Sequence, residues 1–139
     1  MSISIYKTLL ESYEFDNLKQ YMKSNLEKFQ NLVIEYINLA DENDFSSILG
    51  EMLVPLNNVI KKFNELGFTY EPDTTTDVDE DNFTTILDRY SDQVEDFISD
   101  FSRDKFESFN VQTRDIFSLI DLHRTRYIKE GEILIDNLN

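Results

Sequence analysis

Apolar side chains fall into stripes along most of the chain. Leu18, Met22, Leu26, Phe29, Val33, Tyr36 and Ala40 follow one another at steps of 4, 4, 3, 4, 3 and 4. This spacing predicts a helix over 16–40 with one apolar face, close to a heptad seam. Asp16 stands where an N-cap belongs, and Ile5, Leu9 and Leu10 mark a shorter leading helix. The acidic run at 41–44 interrupts the pattern. A second stripe follows through Phe45, Leu49, Met52, Leu56, Val59, Phe63 and Leu66, at steps of 4, 3, 4, 3, 4 and 3. Gly50 and Pro55 lie inside it, and Pro55 removes a backbone donor, so a kink or division is expected there. Gly67 suits a left-handed C-terminal stop. Phe68 then falls where a Schellman motif places an apolar contact back to Phe63.

Residues 68–81 form the one long loop. A third helix is expected from Asp81 or Asn82, with the stripe Phe83, Leu87, Tyr90, Val94, Phe97 and Phe101. The phase slips around Ser102 to Asp104, which predicts a kink or short break. A fourth helix over 110–138 carries Ile116, Ile120, His123, Tyr127 and Leu134 on one side, with Gly131 weakening its last turns. These elements predict an all-α fold of one helical domain over 1–139. It is an antiparallel four-helix bundle or a pair of helical hairpins, and the heptad-like steps are compatible with a homodimer.

Composition sharpens this picture by exclusion. Three Gly and two Pro in 139 residues are too few for the turns of a β sandwich or barrel. The absence of Cys removes disulfides, thiolate catalysis and Cys-ligated metals. A single His rules out a multi-histidine site within one chain. No cofactor is indicated. The first residues lack the basic start and apolar run of a signal peptide, and no apolar run is long enough to span a membrane, so a cytoplasmic location is expected.

The formal net charge of −15 repels nucleic acid and anionic lipid and attracts basic partners. It is unevenly placed. Segment 67–82 holds six acids and no base, and segment 83–110 holds seven acids against Arg89, Arg103 and Lys105. Asp77, Asp79 and Asp81, followed by Asp88 at the twelfth position, raise the question of a calcium loop. Asn82 replaces the turn Gly, Asp88 replaces the bidentate Glu, and the incoming flank contains Gly67, Pro72 and three threonines. The flanks favour a solvated loop whose last acids cap the third helix.

Asp88, Asp92, Asp96 and Asp100 then recur every four residues, with Glu95 beside them. Like charges at this spacing cost a helix a few tenths of a kcal/mol per pair, about 0.2–0.5. A row retained at that cost is either a solvated face or a negative ridge shaped for a basic surface. Asp77, Asp79, Glu80, Asp81, Asp88, Asp92, Glu95, Asp96 and Asp100 are therefore the candidate partner-binding residues. His123 lies on the apolar face of the fourth helix without a nucleophile motif nearby, and reads as a partly buried, hydrogen-bonded histidine. Arg114, Arg124, Arg126 and Lys129 are expected to pair with the acidic third helix.

Together these features point to a non-enzymatic binding module for a basic protein: a nuclease, a toxin or another nucleic-acid-binding protein. An inhibitor, immunity protein or antitoxin has this character, with no direct contact to nucleic acid or membrane. The alternative is a structural or assembly protein, a helical homo-oligomer of coiled-coil type.

Overall fold

The computed structural model describes the backbone of residues 2–39, 44–72 and 80–138, with side chains at 14–39, 44–72, 82–126 and 128. Among these residues there are four helices and no strand: α1 Ser2–Asn38, α2 Phe45–Glu65, α3 Glu80–Ser99 and α4 Phe106–Leu138. A 3₁₀ turn at Arg103–Lys105 separates α3 from α4 and realises the break expected near Ser102.

The predicted stripes form the core, with Leu18, Phe45 and Phe101 partly buried at its edge; Leu66 is the exception, exposed because α2 ends at Glu65 and the chain turns away. Met22, Leu26, Phe29, Val33 and Tyr36 of α1 are buried, as are Leu49, Met52, Leu56, Val59 and Phe63 of α2. Phe83, Leu87, Tyr90, Val94 and Phe97 of α3 join them, with Phe106, Phe109, Ile116 and Ile120 of α4. Ala40, Tyr127 and Leu134 lie outside the described side chains. α4 starts at Phe106, four residues ahead of the expected 110. The reason is that Phe106 and Phe109 belong to its own buried face.

One boundary expectation is corrected, and a second is narrowed: of the kink or division expected at Pro55, the division does not occur. α1 is one continuous helix, so Asp16 lies inside it rather than capping it. No Gly or Pro interrupts residues 2–16, and Phe15 packs on Phe101 and Phe106 at 4.9 and 6.5 Å, which carries the helix past this point. α2 is likewise undivided, with Pro55 buried inside it. Asp44 occupies the N-cap position of α2 in a helical conformation and makes no side-chain cap bond.

The end of α2 is a complete Schellman motif. The Phe68 N–H donates to the Phe63 carbonyl at 2.9 Å, the Gly67 N–H donates to the Asn64 carbonyl at 3.1 Å, and Gly67 has φ +91°. The Phe63 and Phe68 rings meet edge-on at 6.1 Å, which is the apolar contact the motif requires.

Ring and side-chain pairs give the helix directions. Tyr36 of α1 meets Phe45 of α2, and Asn25 meets Asn58. Between α1 and α3, Phe29 meets Tyr90 and Tyr36 meets Phe83. Between α3 and α4, Phe97 stacks on Phe109 at 4.0 Å and Phe83 on His123 at 4.1 Å. Between α2 and α4, Phe63 meets Phe106 and Phe109. Every neighbouring pair is antiparallel, and the order around the bundle is α1, α2, α4, α3.

It follows that α2 and α3 are diagonal and parallel. α2 ends at the opposite end of the bundle from the start of α3, so the connection between Glu65 and Glu80 has to join the two ends. These connections are not all short turns. The topology is that of four-helix bundles with a single long crossover. The crossover begins along the α2–α4 groove, where the Arg114 guanidinium donates to the carbonyls of Phe68 at 3.1 Å and Tyr70 at 3.4 Å.

Candidate acidic interface on the third helix

α3 turns its apolar stripe inward, which forces the intervening positions out. Asp88, Asp92, Glu95, Asp96 and Asp100 are all exposed. From Asn82 to Asp100 these five acids face one base, Arg89. Each step of four residues advances about 6 Å along the axis and about 40° around it. The row therefore spirals. Asp88, Asp92, Glu95 and Asp96 crowd the outward face, whereas Asp100 has turned toward the α4 side.

That rotation decides the role of Asp100. Its carboxylate accepts from Lys105 Nζ at 3.0 Å, in the turn that leads into α4. Asp100 is thus partly neutralised by its own chain and drops out of the ridge. The other ion pair among the described residues, Lys62–Glu65 at 3.1 Å, lies on α2. Asp88, Asp92, Glu95 and Asp96 enter neither pair. Ser99 Oγ donates to the Glu95 backbone carbonyl at 2.7 Å, and the Glu95 side chain is exposed.

The other sequence candidates divide. Asp77 and Asp79 lie outside the described residues. Glu80 and Asp81 form the first turn of α3, where acids complement the positive end of the helix dipole; their side chains lie outside the description. A twelve-residue calcium loop opening at Asp77 would need non-helical backbone at its fourth to ninth positions. The helix is already formed at Glu80, the fourth position of such a loop. Among the described residues, no three His, Asp or Glu side chains gather as a metal site.

Arg114 and Arg124 do not pair with α3. Arg114 faces the α2 side, where Nε donates to Asn110 Oδ1 at 2.9 Å and an Nη donates to Asn64 Oδ1. With the two loop carbonyls, one guanidinium holds the helix end and the start of the crossover. No periodicity signals the contacts to the crossover, because their acceptors are the backbone carbonyls of Phe68 and Tyr70. The Arg124 side chain lies over Gly50, where a Cβ would stand 3.1 Å from Nε. That buried Nε has no hydrogen-bond partner. The side chain of Lys129 lies outside the description. His123 is 4% exposed, on the inward face where the stripe places it, and stacks on Phe83.

The core also contains a buried polar pair. The hydroxyls of Tyr90 and Thr113 meet at 2.8 Å between α3 and α4. Desolvation pushes the Tyr90 phenol well above its ordinary range, against a smaller opposing effect of the Thr113 bond. Tyr90 is therefore neutral, a fixed strut behind the acidic face.

No helix among the described residues is long and apolar enough to cross a membrane. The chain matches no family model, and no curated protein or solved structure is detectably similar to it.

Proposed function

We propose that this chain is a non-enzymatic binding protein that occupies the basic surface of a nuclease or another nucleic-acid-binding protein. The observation that supports this reading is the outward ridge of Asp88, Asp92, Glu95 and Asp96, exposed and outside both ion pairs of the described residues. Carboxylates about 6 Å apart along a rigid rod match the order of spacing of phosphates along a strand. A surface that binds phosphates meets complementary charge there. Association would be fast and sensitive to salt.

The test combines capture with charge reversal. The tagged protein is used to recover partners from its native host under low-salt and high-salt washes. A basic nucleic-acid-binding protein, released at high salt and bound more than about tenfold more weakly by the triple variant Asp88→Lys, Asp92→Lys, Asp96→Lys, is the expected outcome. A partner that binds the triple variant equally well would exclude the electrostatic mechanism.

The homo-oligomer reading draws on a different observation. α1 has 37 residues and α2 has 21. α1 is thus longer than its neighbour by about 24 Å. Light scattering of the purified chain separates the readings: a stable oligomer that ignores salt favours assembly.

A further inference from the structure

A second surface differs chemically from the ridge. Where α2 ends and α4 begins, a cleft of about 720 Å³ opens against α1. Its floor is Phe15, Leu18, Phe68 and Phe106, and its rim carries Lys62 and Arg103. This volume falls in the range of small-molecule sites, about 300–1,000 Å³, and an apolar floor with few polar groups is the usual lining.

The two cations are placed differently. Lys62 is engaged: its Nζ lies 3.1 Å from a Glu65 carboxylate oxygen and 5.1 Å from the Tyr21 ring centroid. That pair also neutralises Glu65, leaving Glu14 as the remaining acid of the lining, exposed at the rim. Arg103 enters neither ion pair of the described residues. Its guanidinium stands 5.6 Å from the centroid of Phe15. Phe15 is itself fixed against Phe101 at 4.9 Å, and Arg103 begins the 3₁₀ turn that leads into α4. The positive end of the α4 dipole lies at the same end of the bundle. On a chain of net charge −15, this cleft joins apolar surface to a cation with no carboxylate partner.

We propose that the cleft binds a small amphipathic anion. An aromatic or branched aliphatic body would rest on the Phe15, Leu18, Phe68 and Phe106 floor. Its carboxylate or sulfonate would meet the Arg103 guanidinium, whose fork geometry suits a planar oxyanion. The site is independent of the acidic ridge.

Two dyes test it: 8-anilinonaphthalene-1-sulfonate, and N-phenyl-1-naphthylamine, which has the same rings without the sulfonate. Fluorescence titration should show one sulfonate dye bound per chain, more tightly than the neutral dye. Arg103→Gln should weaken the sulfonate dye about tenfold and leave the neutral dye unchanged, the effect of losing one charged hydrogen bond. Lys105→Gln, the same charge change at a residue outside the cleft, should alter neither. Absence of saturable 1:1 binding, equal affinity for the two dyes, or equal effects of the two Gln variants would overturn the proposal. Loss of dye binding as the chain dimerises would do the same, by assigning the cleft to a second copy.

Discussion

Gly67 carries the one positive φ among the described residues. A Cβ there would meet nothing within 4 Å, so the cost of a side chain is purely conformational. Gly67→Ala should destabilise the fold by about 1 kcal/mol, seen as a lower urea midpoint with an unchanged slope. The Tyr90–Thr113 pair makes a different kind of prediction. Tyr90→Phe leaves a buried Thr113 hydroxyl without its partner and should cost about 1–3 kcal/mol, part of which Thr113→Val restores. The pH dependence follows from the raised phenol pKa. Below the unfolded-state value near 10, both states keep the proton, and the pair's contribution is complete. Above it, the unfolded chain ionises while folded Tyr90 stays protonated. The contribution is therefore lost as pH rises past 10 toward the folded value, and Tyr90→Phe should flatten that alkaline fall in chemical denaturation curves.

At the scale of elements, Gly50 and Arg124 join α2 to α4. Glycine inside a helix costs about 0.5–1 kcal/mol relative to alanine, yet a Cβ at position 50 would press on Arg124 at 3.1 Å. Gly50→Ala should stabilise the protein in an Arg124→Ala background and gain measurably less with Arg124 present. A double-mutant cycle reads the difference, and additivity would show that the arginine moves aside freely. The crossover has its own arithmetic. α2 is 21 residues long, about 30 Å. The chain between Glu65 and Glu80 makes fifteen Cα steps, reaching about 50 Å when extended. Deleting residues 73–79 leaves eight steps, about 26 Å, too short to reach the far end. That deletion should abolish the cooperative fold, whereas a short turn between adjacent helices would have tolerated it.

The charge acts at the scale of the whole molecule. A chain at −15, with four unpaired carboxylates on one face of one helix, repels itself. Added sodium chloride should raise the thermal midpoint of the isolated protein through screening, while weakening the proposed partner complex. The reversal Asp88→Lys, Asp92→Lys, Asp96→Lys should leave the fold at least as stable, because it lowers the net negative charge of −15 and changes only exposed side chains. Stability and partner binding thus move in opposite directions. A merely solubilising face would show no such opposition, because reversal would then change no affinity.

Much of this architecture follows from spacing alone. The 3-4 steps of Leu18 to Tyr36, Phe45 to Phe63 and Phe83 to Phe101 determined three apolar faces that pack inward, because a helix buries one stripe wherever it packs. Gly67 and Phe68 determined the end of α2, since the motif is local and its parts lie within six residues. The exposure of Asp88, Asp92, Glu95 and Asp96 followed from the same periodicity. Tertiary structure decided what depends on distant partners. α1 runs through Asp16 because a cap signal of about 1 kcal/mol is weaker than packing of Phe15 on Phe101 and Phe106. The order of the helices, and hence the lengthwise crossover, depends on which apolar faces fit together, and each stripe by itself fits any neighbour. Arg114 clamps a loop rather than an acidic helix, and Asp100 leaves the ridge for Lys105, because helix rotation and chain reversal bring those groups together and no spacing records it.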